Sequence, residues 1–270
     1  MKITFLGGGN MANALIGGLM KQGLNAADIS VIDPGAEARS KLSETYAVSC
    51  VAAADQLASV GDLLLLAVKP QQMKEAVAPL LGKLGNAVVV SIAAGLDLAT
   101  LSRFLGGHRK IVRCMPNTPA LIGAGITGLC ALPEVSADER AAADRVLSAV
   151  GSTVWIADES KMDGVTALSG SGPAYVFLFI EALQQAAAEL GFTPEQGRQL
   201  AIETVQGAAA LAAQSTEPAA TLRERVTSKG GTTEAALNKM AEMGVKAGII
   251  AGVIAAEARG QELGKLLGAA

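Results

Sequence analysis

Short, continuously apolar runs alternate with amphipathic stretches through the first half of the chain. Residues 2–6 read as a strand and glycines follow; then Met11, Leu15 and Leu19, with Ala12, Ile16 and Met20, recur at helical spacing. Further strands are expected over 29–32, 63–68, 87–92 and 110–114, apolar throughout as in a sheet covered on both faces. Helices are predicted between them over 36–45, 71–84 and 97–105. Strand–helix–strand repetition of this kind specifies a parallel sheet with right-handed crossovers. Residues 123–131 and 152–157 read as two more strands, bracketing a helix over 136–149.

After residue 160 the strand signals stop. Five alanine-rich helices are expected over 171–190, 194–214, 217–226, 232–243 and 245–267, separated by Gly191, Pro218, Gly230-Gly231 and Gly244. In the first of them Val176, Phe179, Ile180, Leu183 and Leu190 form one stripe, and Phe177 and Leu178 make the opposite side apolar too. A helix apolar all round needs cover on every side. Five helices alone hardly supply it, and a second copy of the chain would, so a homodimer is expected.

Composition narrows the function classes. Half of the 270 residues are hydrophobic and 17% are charged, which excludes a disordered chain. Aromatics at 3% leave no stacking platform for single strands, and a net charge of −3 lacks the electrostatic footprint of a nucleic-acid binder. The richest apolar stretches fall short of the roughly 20 uncharged residues that cross a bilayer. Cys50, Cys114 and Cys130 show no metal-type spacing and suggest free thiols in a reducing compartment. A cytoplasmic protein is expected, with neither nucleic acid nor membrane as partner and no metal.

The first candidate site is Gly7-Gly8-Gly9-Asn10-Met11-Ala12, a G-x-G-x-x-A pattern between the first strand and the first helix. In a Rossmann unit the first glycine makes the tight turn, the second admits a pyrophosphate, and the third small residue packs helix on strand. The helix N-terminus then holds the anion. Asp33 ends the second strand, where a ribose-binding carboxylate is expected. Such a carboxylate favours NAD over NADP, whereas Arg39 or Lys41 just beyond would offset it, and the sequence leaves that preference open. The expected fold is thus α/β: an N-terminal Rossmann-type, doubly wound, mostly parallel sheet over 1–160. An all-α C-terminal domain over 161–270 follows, for substrate binding and dimerisation.

Ligands of such sheets bind outside the carboxyl ends of the strands. The loops Ala67-Val68-Lys69-Pro70-Gln71, Ala93-Ala94-Gly95 and Met115-Pro116-Asn117-Thr118-Pro119 should therefore converge on the cofactor. Two clusters in the helical half place hydroxyls and backbone N–H groups at helix starts, which suits a small carboxylate: Ser169-Gly170-Ser171-Gly172-Pro173 and Ser228-Lys229-Gly230-Gly231-Thr232-Thr233. The single histidine, His108, precedes a strand, at the wrong end of the sheet for catalysis, and reads as a surface residue. No histidine–carboxylate pair or nucleophile elbow is available. Carbonyl reduction wants a strong acid for the developing alkoxide. An imine enters already protonated and asks only for a hydrogen-bond partner.

These residues resemble the pyrroline-5-carboxylate reductase family nearly end to end. The likeness lies in the glycine turn, Val68-Lys69-Pro70, Arg113-Cys114-Met115-Pro116-Asn117-Thr118-Pro119, Leu168-Ser169-Gly170-Ser171-Gly172-Pro173-Ala174-Tyr175 and Gly230-Gly231-Thr232-Thr233. The resemblance implies reduction of 1-pyrroline-5-carboxylate to L-proline with NADPH or NADH, the last step of proline biosynthesis. It also implies interleaved helical domains in a homodimer, and a decamer of five dimers. By position, Leu6, Gly7, Gly8, Gly9, Asn10, Met11, Ala67, Val68, Lys69, Pro70, Ala93 and Ala94 would hold the dinucleotide, together with Asp33 and Asn117 from the reading above. Ser228 and the amides of Gly230, Gly231 and Thr232 would take the substrate carboxylate, with Ser171 from the other hydroxyl cluster. Thr233 would meet the ring nitrogen as the catalytic residue. The chain departs from the family at Lys229, where proline is usual, and at Asp33, where a small or polar residue is common. A β-hydroxyacid dehydrogenase using Lys161 or Lys265 as acid/base, and a non-catalytic dinucleotide sensor, are the competing readings.

Overall fold

The computed structural model describes residues 1–268. Its strands are β1 (Ile3–Leu6), β2 (Ile29–Ile32), β3 (Ser49–Val51), β4 (Leu63–Leu66), β5 (Val88–Ser91), β6 (Ile111–Met115), β7 (Gly125–Ala131) and β8 (Gly151–Trp155). They form one sheet in the order β3-β2-β1-β4-β5-β6-β7-β8. Every pairing is parallel except β6 with β7. Leu6 lies opposite Ile32 and Leu66, Leu66 opposite Ser91, and Ser91 opposite Arg113. That register brings the carboxyl ends of β2, β1, β4, β5 and β6 to one edge, and the strand order reverses between β1 and β4.

The helices of this part are α1 (Asn10–Lys21), α2 (Ala36–Tyr46), α3 (Met73–Val77), α4 (Leu98–Phe104), α5 (Ala137–Leu147) and α6 (Met162–Val165). Successive strand residues point to opposite faces, so each apolar strand feeds two cores. Phe5 and Leu65 pack with Ala12, Leu15, Ile16 and Val146 on one face. Leu6, Leu64 and Leu66 pack with Met73, Val77 and Leu101 on the other.

The structure corrects four expectations. The edge strand β3 was not expected, because Ser49-Cys50-Val51 is too short and mixed to stand out. The helix expected over 71–84 is a short α-helix between two 3-10 turns. Pro79 lacks the N–H that a continuous helix would use there. Residues 166–170 form a turn of π-helix after α6, which no periodicity announces. His108 is half-buried rather than on the surface, and its Nε2 donates to the Ala87 carbonyl at 2.9 Å.

The chain divides into two compact units, one of Met1–Ser171 with the end of the chain from Ala256, the other of Gly172–Ala255. Within the second lie α7 (Gly172–Glu189), α8 (Pro194–Gln214), α9 (Ala219–Arg225), α10 (Thr232–Glu242) and the first part of α11 (Val245–Gly268). A capping box between Thr193 and Gln196 and a proline at the first helical position start α8. Small residues let α7 and α8 approach: a methyl on Gly197 would stand 3.0 Å from Ala187 Cβ. Phe177 is 63% exposed and Leu178 66%. The helical run Glu159–Glu189 contains an 18-residue window apolar enough to cross a bilayer by length and composition, longer than expected, since Glu181 is the one charge between residues 164 and 188.

Candidate active site

The glycine turn sits at the strand-order reversal. Gly7 N–H donates to the Ile32 carbonyl at 2.8 Å, and Ala67 N–H donates to Leu6, so the turn is stitched to both neighbouring strands. Gly7 has φ +101°, and a Cβ there would stand 2.7 Å from the Ala67 carbonyl oxygen. Gly8 is packed against Leu42 and the Asp33 carboxylate, whereas a Cβ on Gly9 would meet nothing within 4 Å. Gly9 is the N-cap of α1, with no side-chain cap and no acidic residue in the first turn. Ala12, fully buried, seats the helix against the sheet. An uncapped helix start beside an open glycine fits a pyrophosphate.

Asp33 is tied into this turn. Its Oδ2 accepts from Gly8 N–H and its Oδ1 from Gly35 N–H, each at 2.7 Å. The loops after β4, β5 and β6 emerge at the same edge. Ala67, Val68 and Pro70 are half-buried, Lys69 is exposed, and Pro70 opens a 3-10 turn. Ala93 is buried with its N–H on Ser91 Oγ, and Ala94 is half-buried. Gly95 has φ +77°, and the end of α11 lies against it at Leu267 and Gly264.

Asn117, 9% exposed, works as a brace. Its Nδ2 donates to the Ser169 carbonyl at 3.1 Å and its Oδ1 accepts from Ile126 N–H at 2.9 Å. It therefore fastens the loop after β6 to the π-turn and to β7. Ser171 closes that turn, its N–H donating to the Thr166 carbonyl. A methyl on Gly170 would strike Met115 Cε at 2.7 Å, so the end of β6 and the turn touch.

Sequence reasoning missed the charged group behind this brace. Arg113, in the middle of β6, pairs with Glu159 at 3.2 Å and Asp163 at 3.1 Å, and its side chain is 7% exposed. Glu159 also accepts from Leu98 N–H at 2.7 Å. One arginine inside an otherwise apolar strand was the available signal, since a buried charge requires partners.

In the second unit, Ser228 to Gly231 link α9 to α10. Gly230 has φ +72°. Its N–H donates to Glu234 Oε2 at 2.7 Å, and Gly231 N–H donates to the Ser228 carbonyl at 3.0 Å. Both amides are thus engaged within the loop. Gly231 is the N-cap of α10 and no side chain caps the helix. Thr232 and Thr233, its first two residues, present their amides at that end; Thr233 is half-buried, and Ser228 and Lys229 are exposed. Lys161 and Lys265 are exposed as well. Among the described residues no cluster of three or more His, Cys, Asp and Glu could hold a metal.

Residues 159–263 match the family model described as pyrroline-5-carboxylate reductase dimerisation. Residues 2–95 match that of NADP oxidoreductase, coenzyme F420-dependent. The pyrroline-5-carboxylate reductase of Pseudomonas aeruginosa is 45% identical over 270 residues, covering 99% of this chain and 98% of that protein. Its Escherichia coli counterpart is 35% identical, with 98% of each covered. The solved structure of a pyrroline-5-carboxylate reductase from Coxiella burnetii superposes with a TM-score of 0.92 at 38% identity, over 97% of this chain and 98% of that one. That of the Plasmodium falciparum enzyme with NADP bound gives 0.87 at 28% identity, over 98% of both. With uncapped glycine turn, braced loops and hydroxyl-rich helix start now in place, the chain belongs to the pyrroline-5-carboxylate reductase family.

Proposed function

We infer that this chain reduces 1-pyrroline-5-carboxylate to L-proline with NAD(P)H, the last step of proline biosynthesis. The observation that carries this reading is the Ser228–Thr233 loop: a hydroxyl pair and an uncapped helix start, on a chain alike from end to end to reductases of that name. Residues 1–160 hold the nucleotide and 161–270 hold the substrate and pair the protomers. Gly7, Gly8, Gly9, Asn10 and Met11, after Leu6, receive the pyrophosphate. Asp33 faces the ribose, and Ala67, Val68, Lys69, Pro70, Ala93 and Ala94 line the crevice, with Asn117 holding its last loop. When bound, the reduced nicotinamide supplies a hydride to the imine carbon.

The chain's own residues bind and orient. Ser228 and the amides of Thr232 and Thr233 take the substrate carboxylate at the positive end of α10. Gly230 and Gly231, whose amides are engaged internally, shape the loop instead. Ser171, at the second hydroxyl cluster, adds a polar contact. Thr233 Oγ1 holds the ring nitrogen. A threonine hydroxyl is a poor acid, so the group aligns the C=N bond and water relays the proton. Thr233→Ala should lower kcat by more than about tenfold, with nucleotide Kd unchanged. Unaltered turnover would remove Thr233 from this role.

The exposed face of α7 supports a homodimer, which the dimerisation model also gives. An apolar groove of about 620 Å³, lined by Tyr175, Val176, Phe179, Val205 and Ile249, continues it. Five dimers joined in a decamer, working in the cytoplasm, complete the proposal.

A further inference from the structure

We propose that this enzyme prefers NADH to NADPH, and that Asp33 sets the preference. The inference rests on reading the Gly7–Met11 turn as the nucleotide site. Asp33 ends β2, the position at which this fold meets the adenosine ribose. Its carboxylate is fixed there, with Gly8 N–H on one oxygen and Gly35 N–H on the other, both at 2.7 Å. Each oxygen keeps a lone pair for a ribose hydroxyl. A 2′-phosphate would instead bring further negative charge against an anion that two amides prevent from swinging aside. The group that would offset this is Arg39. Its Nη1 donates to the main-chain carbonyls of Asp33 at 2.7 Å and Pro34 at 2.8 Å, so it braces the main chain of the turn rather than pairing with the carboxylate. Lys41, the other cation the sequence offers nearby, is exposed on α2.

The test is fluorescence titration of the full-length enzyme with NADH and with NADPH at low salt, followed by kcat/KM for each with pyrroline-5-carboxylate. The wild type should bind NADH at least about tenfold more tightly. Asp33→Asn and Asp33→Ser should narrow or invert that ratio by strengthening NADPH. Asn keeps an acceptor for one glycine amide, and its Tm checks that the turn still folds. Tighter NADPH binding by the wild type overturns the proposal, as does a ratio that neither variant moves. Should the variants not fold, the wild-type ratio alone decides. Failure of the wild type to bind either nucleotide would count against the turn as the nucleotide site, a separate result from a reversed preference.

Discussion

One methyl group on Gly7 would meet two obstacles at once. The residue holds φ +101°, where side chains are strained, and its Cβ would lie 2.7 Å from the main-chain oxygen of Ala67, just past β4, which cannot rotate away. Gly7→Ala should cost at least about 2 kcal/mol of stability, read by urea unfolding, and weaken nucleotide binding. The neighbouring Gly9 meets nothing, so its alanine variant should fold normally. This contrast marks what the sequence conveys at single residues. The G-x-G-x-x-A spacing announces a turn, and the acidic end of β2 announces Asp33. That the carboxylate closes on Gly8 and Gly35, or that Arg113 reaches Glu159 and Asp163, depends on atoms brought together from far along the chain. Local pattern carries no such information.

Elements were legible in proportion to their length and regularity. Strand β2 and helix α8 fall on the expected residues, because an apolar run or a capping box with a following proline is a local signal. Strand β3 and the π-turn escaped, being three and five residues long and stabilised by neighbours. Helix α5 shows a local signal that also titrates. Burial raises the Glu139 pKa, but hydrogen bonds from Lys110 and from the Ser136 amide and hydroxyl outweigh it, and the net value falls below the usual 4.5. A lowered folded pKa adds stability above the unfolded value, and that contribution disappears as pH falls through the folded one. Glu139→Gln should therefore cost about 0.5 kcal/mol at pH 7. The difference from wild type should vanish in the acid range below 4.5, followed by thermal melts across pH.

For the molecule as a whole, the unpartnered face of α7 dominates. Phe177 and Leu178 are each about two-thirds exposed, and Ile249, Ile250 and Ile254 on α11 are exposed too. Periodicity alone identified this helix as apolar all round, but the sequence could not say how much of that surface its own unit leaves uncovered. Phe177→Glu would bury an unpaired charge in the homodimer. It should weaken association by about a hundredfold or more, seen by light scattering as a shift to monomer and a Tm that no longer depends on protein concentration.

The last turns of α11 lie in the same compact unit as the amino-terminal sheet, with Leu267 against Gly95 and Arg103 donating to the Gly268 carbonyl. The helical segment 172–255 is thus an insertion, entered and left through one body. A single proteolytic nick within it leaves both flanking pieces held by that body. Excising the insertion takes two cuts.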